Sequence, residues 1–136
     1  MTLIHSRYGG QLRCHSEHGP SGSTLDTDAP TDNQGKGERF SPTDLVVVAL
    51  GTCMVTTMGI KARSMDIALD NTRVEVTKIM VSDPRRIGKI IVKVFFPAGI
   101  TDDTRTRELL ERTARTCPVE RSLHPDIELD MQFIWQ

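Results

Sequence analysis

SPTDLVVVALGTCMVTTMGIKARSM, residues 41–65, is the only long helical signal in the sequence, and it carries Cys53 near its middle. Ser41 reads as the N-cap, Pro42 as the first helical position, and Asp44 falls three residues after the cap. Ser41 and Asp44 can satisfy backbone donors that a helix start leaves open, and Pro42 has no N–H to strand there. From Leu45 to Ile60 no residue is charged. A helix that is apolar all round is either a membrane span or the centre of a core. These 16 residues are interrupted by Gly51, Thr52, Thr56, Thr57 and Gly59, and they fall short of the ~20 apolar residues a bilayer requires. The stretch is predicted to be a buried central helix with a thiol inside it.

The flanks supply the sheet. Residues 2–8 and 11–17 read as short strands around a Gly9-Gly10 turn, with a third strand near residues 23–27. DAPTDNQGKGERF, residues 28–40, is rich in turn formers and charges and reads as an exposed loop leading into the helix. Beyond the helix, residues 72–82 and 86–96 are predicted strands joined at Asp83-Pro84. In the second of these, Ile90, Val92, Val94 and Phe96 share one face while Ile91 and Phe95 occupy the other, the pattern of a central strand. Pro97-Ala98-Gly99 ends it.

Thr101 is predicted to cap a helix with Asp102 and Asp103 in its first turn, and Leu109, Leu110, Thr113, Ala114 and Cys117 lie on one buried face. Pro118 restarts a short helix to about Leu123. In the last strand Ile127, Leu129, Met131, Phe133 and Trp135 alternate with Asp126, Glu128, Asp130 and Gln132. The order predicts a single α+β domain over 1–136 with mainly antiparallel sheet: strands and loop in 1–40, helix in 41–65, and hairpin, short helices and final strand in 72–136. Small residues at Ala49, Gly51 and Gly59 admit close approach either by a second helix, as in a homodimer, or by the domain's own sheet.

Composition narrows the function. A chain of 136 residues fits one domain, and a net charge of −1 supplies no field for nucleic acid or anionic membrane. MTLIHSRYGG has no apolar stretch of the kind a secretory leader carries, so a cytoplasmic location is expected. Cys14, Cys53 and Cys117 are too few and too far apart for a disulfide framework or a Cys-x-x-Cys zinc site. His5, Cys14, His15 and His18 fit no closed zinc pattern, so no metal is expected, and no phosphate-binding glycine loop precedes a helix.

Two readings of Cys53 follow from periodicity: an inert small hydrophobe, or a functional thiol held as thiolate by a nearby cation or strong donor. Cys117 has the more suggestive setting. As the residue before Pro118 it is predicted to be an N-cap, where free N–H groups lower a thiol's pKa, whereas cysteine is not a favoured cap. Among the cations, Arg39 stands just before the central helix, and Arg7, Arg13, Arg85 and Arg86 are also available.

FSPTDLVVVALGTCMVTTM resembles the central-helix motif of the OsmC/Ohr family, with Pro42, Leu45, Ala49 and Cys53 in register, and TCPVERSLHPDIELDMQF resembles its second motif through Cys117-Pro118-Val119. The wording ALGTC and SLHPDIE is similar to the broad OsmC-like branch rather than the dedicated organic-hydroperoxide-resistance branch. The resemblance implies an OsmC-like α+β fold, an intertwined homodimer and active sites at its interface. It implies a cysteine-based peroxidase without a cofactor, in which Cys53 attacks an organic hydroperoxide and Cys117 resolves the sulfenic acid to a disulfide. An external dithiol, a dihydrolipoyl group in better-studied members, then reduces the disulfide. The family's glutamate directly follows the helix-opening proline, but Thr43 stands there with Asp44 next. For the family's activating arginine, Arg39 is the nearest candidate and Arg13 another. Thr43 favours an alternative from the binding class: a non-catalytic protein of the same fold holding a small hydrophobic or thiol-reactive ligand at the dimer interface. A third reading leaves both cysteines buried and inert.

Overall fold

The predicted cap closes reciprocally. The Asp44 N–H donates to Ser41 Oγ at 3.1 Å, and the Ser41 N–H donates to Asp44 Oδ2 at 2.9 Å. From this box helix α1 runs Pro42–Arg63. Its exit is equally well defined. Asp66 adopts a left-handed conformation at φ 57°. The Ile67 and Asp66 N–H groups return to the Ala62 and Arg63 carbonyls at 2.9 and 3.2 Å, which satisfies acceptors the helix end leaves open. Lys61 and Arg63 in the last turn complement the dipole.

The computed structural model describes residues 1–136, which divide into two compact units, Met1–Val46 and Val47–Gln136. The first is a three-stranded antiparallel sheet of β1 (Ile4–Gly10), β2 (Arg13–His18) and β3 (Thr24–Asp28) in that order. The first hairpin turns two residues later than the Gly9-Gly10 dipeptide suggested. Gln11 and Leu12 take positive φ of 52° and 62°, the handedness that two-residue hairpins favour, and the register shift between Tyr8 and Gly10 absorbs the glycines into the strand. The charged loop after β3 is tied down by Asp28, which is 2% exposed. Asp28 receives Arg13 Nε on Oδ1 at 2.7 Å and Arg13 Nη2 on Oδ2 at 2.8 Å, while Arg13 Nη2 also reaches Glu38 Oε2 at 2.8 Å. The Glu38 N–H donates to the same carboxylate at 3.1 Å. These bonds hold the Asp28 carboxyl below its usual range, the Arg13 side chain contributing most.

In the second unit β4 (Arg73–Val81), β5 (Arg86–Phe96) and β6 (Glu128–Trp135) form one sheet with β5 in the middle. β4 and β5 are antiparallel, whereas β6 runs parallel to β5. The parallel pairing follows from the connection, since helices α2 (Thr104–Ala114) and α3 (Pro118–Ser122) make the crossover that parallel neighbours need. α2 is capped by Asp103 rather than Thr101: Asp103 Oδ2 accepts the Thr106 N–H at 2.8 Å, and Thr101 Oγ1 accepts the Asp103 N–H at 3.2 Å.

The core of this unit joins one stripe of α1 to one face of β5. Val47, Leu50, Gly51, Met54, Met58 and Ala62 recur at helical spacing and are buried. Ile90, Val92, Val94 and Phe96 alternate along β5 and are also buried, together with Leu110 and Ala114 of α2. Ile91 and Phe95 on the opposite face are only half-buried, and the Arg73 guanidinium lies 4.1 Å over the Phe95 ring. Phe96 stacks on Trp135 at 3.7 Å, and the indole N–H donates to Glu111 at 2.8 Å, joining β5, β6 and α2. Gly51 faces the sheet. A Cβ there would stand 2.7 Å from Val76 Cγ1 and 3.1 Å from Val74 Cγ1, so this glycine serves α1's approach to β4. Gly59 has no atom within 4 Å of the same position. α1 is long and apolar enough to cross a bilayer, yet its buried stripe makes it the core helix of this unit.

Three outcomes follow from this packing. Leu50→Ala costs about 3 kcal/mol, because a fully buried side chain leaves a cavity. Gly51→Val costs roughly 1–3 kcal/mol through overpacking against two stiff valines, and urea unfolding followed by Trp135 fluorescence reads both values. Asp28 has a lowered folded pKa, so its contribution is present above the unfolded value of 3.8 and is lost as pH falls through the folded one. Asp28→Asn therefore lowers Tm near neutral pH, and its gap from the wild type closes on acidification.

Candidate active site

Cys117 is placed by its neighbour. A residue before proline is pushed out of the helical region, and Cys117 is extended at φ −63° and ψ 142°, with Pro118 opening α3. The chain arrives there from α2 through the Thr116 and Cys117 N–H groups, which bond the Thr113 and Ala114 carbonyls at 3.0 and 3.4 Å. The Cys117 side chain then points over the start of α3, where Sγ accepts the Glu120 N–H at 3.4 Å. The thiol is an N-cap, as the sequence indicates, and it is fully buried.

Cys53 stands midway along α1, beside the buried Met54 and one turn after the buried Leu50, and is partly exposed. Both cysteines are free thiols, and Cys53 is near enough to Cys117 to raise the pKa of its thiol. The two cysteines singled out in the sequence, 64 residues apart, thus meet in the second unit.

The electrostatics correct one expectation. The cap position was expected to lower the Cys117 pKa, but the thiol is raised above its ordinary value. Burial is the largest cause and disfavours the thiolate, while the Glu120 N–H pulls the other way. The Cys53 contact and the charge of Glu120 add to the rise. A helix of five residues supplies little dipole to set against these. The proton therefore stays on Cys117.

Glu120 is the residue the sequence did not single out. It lies three positions after the cap, the capping-box spacing, and that offset was the available signal. Its Oε2 is buried without a hydrogen-bond partner. Burial raises the carboxyl above its ordinary pKa, and Arg115 and Arg121 partly oppose the rise.

Arg39 and Arg13 both belong to the first unit. Arg39 Nη1 donates to the Glu38 carbonyl at 2.9 Å, and its charge helps lower Asp28. Arg13 is held by the Asp28 and Glu38 carboxylates. Thr43 Oγ1 lies 3.1 Å from Ser41 Oγ, and Asp44 serves the helix cap, so the acid beside the helix-opening proline carries a structural duty. Cys14 sits on β2 between Tyr8 and Thr27, and His15 Nδ1 pairs with Asp26 at 2.7 Å. A shallow groove of about 600 Å³ starts at Thr56, one turn along α1 from Cys53, and continues past Gly59, Ile60 and Arg63 to Asp70.

The geometry can be set beside known proteins. The sequence model of the OsmC-like protein family matches residues 35–132, a span that includes both thiols. The chain is similar to a crystal structure from Psychrobacter arcticus 273-4, named as an osmotic stress induced and detoxification response protein. That likeness has 45% identity and a TM-score of 0.92 over 98% of this chain and 96% of that one. An organic hydroperoxide resistance protein OsmC from Legionella pneumophila aligns at 16% identity and TM-score 0.77, covering 98% and 96%. The organic hydroperoxide resistance protein OhrB of Bacillus subtilis aligns at 16% and TM-score 0.68, covering 98% and 97%. At such identity the last two show the shared fold. No curated protein matches. With a family match running from the loop before α1 into β6, and a relative alike over nearly its whole length, this chain belongs to the OsmC-like family.

Proposed function

We propose that the protein is a thiol peroxidase that reduces organic hydroperoxides through Cys53 and Cys117, in oxidative-stress defence in the cytoplasm. The observation that carries this reading is the approach of two free thiols to one another, one partly exposed on α1 and one buried at the start of α3. Names of relatives that refer to hydroperoxide resistance and detoxification support it.

In the first step the Cys53 thiolate attacks the distal peroxide oxygen. The O–O bond breaks, the alkoxide leaves as the alcohol after taking a proton, and Cys53 becomes a sulfenic acid. In the second, Cys117 sulfur attacks the Cys53 sulfur, the S–O bond breaks, and water departs with the thiol proton. An external dithiol, a dihydrolipoyl group or its equivalent, reduces the resulting disulfide by exchange and is itself oxidised to a disulfide. The division of labour suits the settings. Cys53 is the accessible sulfur, while burial keeps Cys117 a thiol until a sulfenic acid forms beside it.

A homodimer belongs to the proposal. Val48, Thr52, Val55, Thr56, Gly59 and Ile60 of α1 carry no charge and are not buried within the chain, and an uncharged helix face of this length favours burial against a partner. Arg39 remains the candidate for stabilising the Cys53 thiolate.

Peroxide consumption tests the reading. With an organic hydroperoxide and an excess of dithiol, Cys53→Ser loses turnover by at least about a thousandfold, because the nucleophile is gone. Without added dithiol, Cys117→Ser consumes about one equivalent and stops as a sulfenic acid that a dimedone-type reagent traps. Equal turnover in the wild type and Cys53→Ser overturns the proposal. In sedimentation the particle has twice the mass of the chain.

A further inference from the structure

The carboxyl of Glu120 has no place in the fold that explains it. In a capping box the acid three residues after the cap reaches back to the cap N–H, but here the Cys117 N–H goes to the Ala114 carbonyl at 3.4 Å. Oε2 is left buried with no partner. An unpaired buried oxygen is costly, and one left in place beside reactive groups is a pointer to function. The backbone of the same residue donates to Cys117 Sγ, so the carboxyl is carried on the group that fixes the thiol.

We propose that Glu120 is the proton-handling residue of the thiol pair, taking the proton from Cys117 as that sulfur attacks the Cys53 sulfenic acid and returning it to the departing oxygen. The inference rests on the peroxidase reading and deepens it. The balance is closed within the site: the Cys117 S–H bond and the Cys53 S–O bond break, the S–S bond and water form, and Glu120 ends as it began. Cys53 is reduced from sulfenic acid to disulfide as Cys117 is oxidised from thiol to disulfide, and no outside reagent is required.

The surroundings suit a carboxyl that takes up a proton more readily than a solvated one. Burial lifts Glu120, whereas Arg115 at the end of α2 and Arg121 within α3 keep the ionised form within reach. Cys117 faces Cys53 of α1 and Glu120 of α3, and Glu120's negative charge disfavours a second negative charge on the sulfur. A carboxylate in that position discourages a free Cys117 thiolate, yet it can accept the proton when the sulfur is ready to bond. A general base of this kind contributes about a hundredfold or more.

Stopped-flow oxidation separates the steps. With one equivalent of organic hydroperoxide, Glu120→Gln leaves the first, peroxide-dependent phase unchanged. It slows the second, disulfide-forming phase on the order of a hundredfold and removes the loss of that phase at acid pH, with Glu120→Asp restoring part of the rate. A second phase equally fast in Glu120→Gln, or slowed by the same factor at every pH, overturns the proposal. A titration without peroxide keeps this test separate from the peroxidase reading. In a Cys53→Ser background, the ultraviolet absorbance of the Cys117 thiolate appears at lower pH once Glu120→Gln is added. If the wild type does not react with peroxide while this shift is present, the peroxidase reading fails and the coupling of Glu120 to Cys117 stands. An unmoved titration overturns the coupling itself.

Discussion

The seat of α1 on its sheet is the constraint from which the second unit follows. α1 can approach β4 closely only where a side chain is missing, and Gly51 provides that place against Val74 and Val76. Once seated, the stripe from Val47 to Ala62 and the β5 face from Ile90 to Phe96 are buried as the unit's apolar core. Cys53 lies two residues beyond Gly51, and its position on the helix is therefore set by a steric fit rather than by any polar contact.

The second half of the site is set by chain stiffness. Pro118 forbids a helical conformation at Cys117 and opens α3 behind it, which turns the sulfur onto the Glu120 N–H. Two independent local rules, one steric and one conformational, thus bring two cysteines far apart in the chain close enough for one to affect the other. The buried sulfur keeps its proton because desolvation outweighs one backbone donor.

The sequence carried a good part of this, unevenly. The α1 cap, the interior position of β5 and the cap role of Cys117 were legible because each rests on neighbours three residues away or on strict alternation. The first turn was misplaced because glycines advertise a turn, while Gln11 and Leu12 adopt left-handed geometry without advertising it. The parallel run of β6 was hidden because alternation reports which face is buried and says nothing of strand direction. The sign of the Cys117 shift was missed because cap chemistry is local and burial is not. Glu120 escaped for the same reason: only the folded chain makes one of its oxygens buried and unpartnered.

The central claim is that Cys53 and Cys117 act as one redox unit. Mass spectrometry of the protein after one equivalent of an organic hydroperoxide, with unreacted thiols alkylated before digestion, tests it most directly. The account predicts a Cys53–Cys117 cross-linked peptide as the main product with Cys14 still alkylated. Both cysteines alkylated and the peroxide left intact would contradict it.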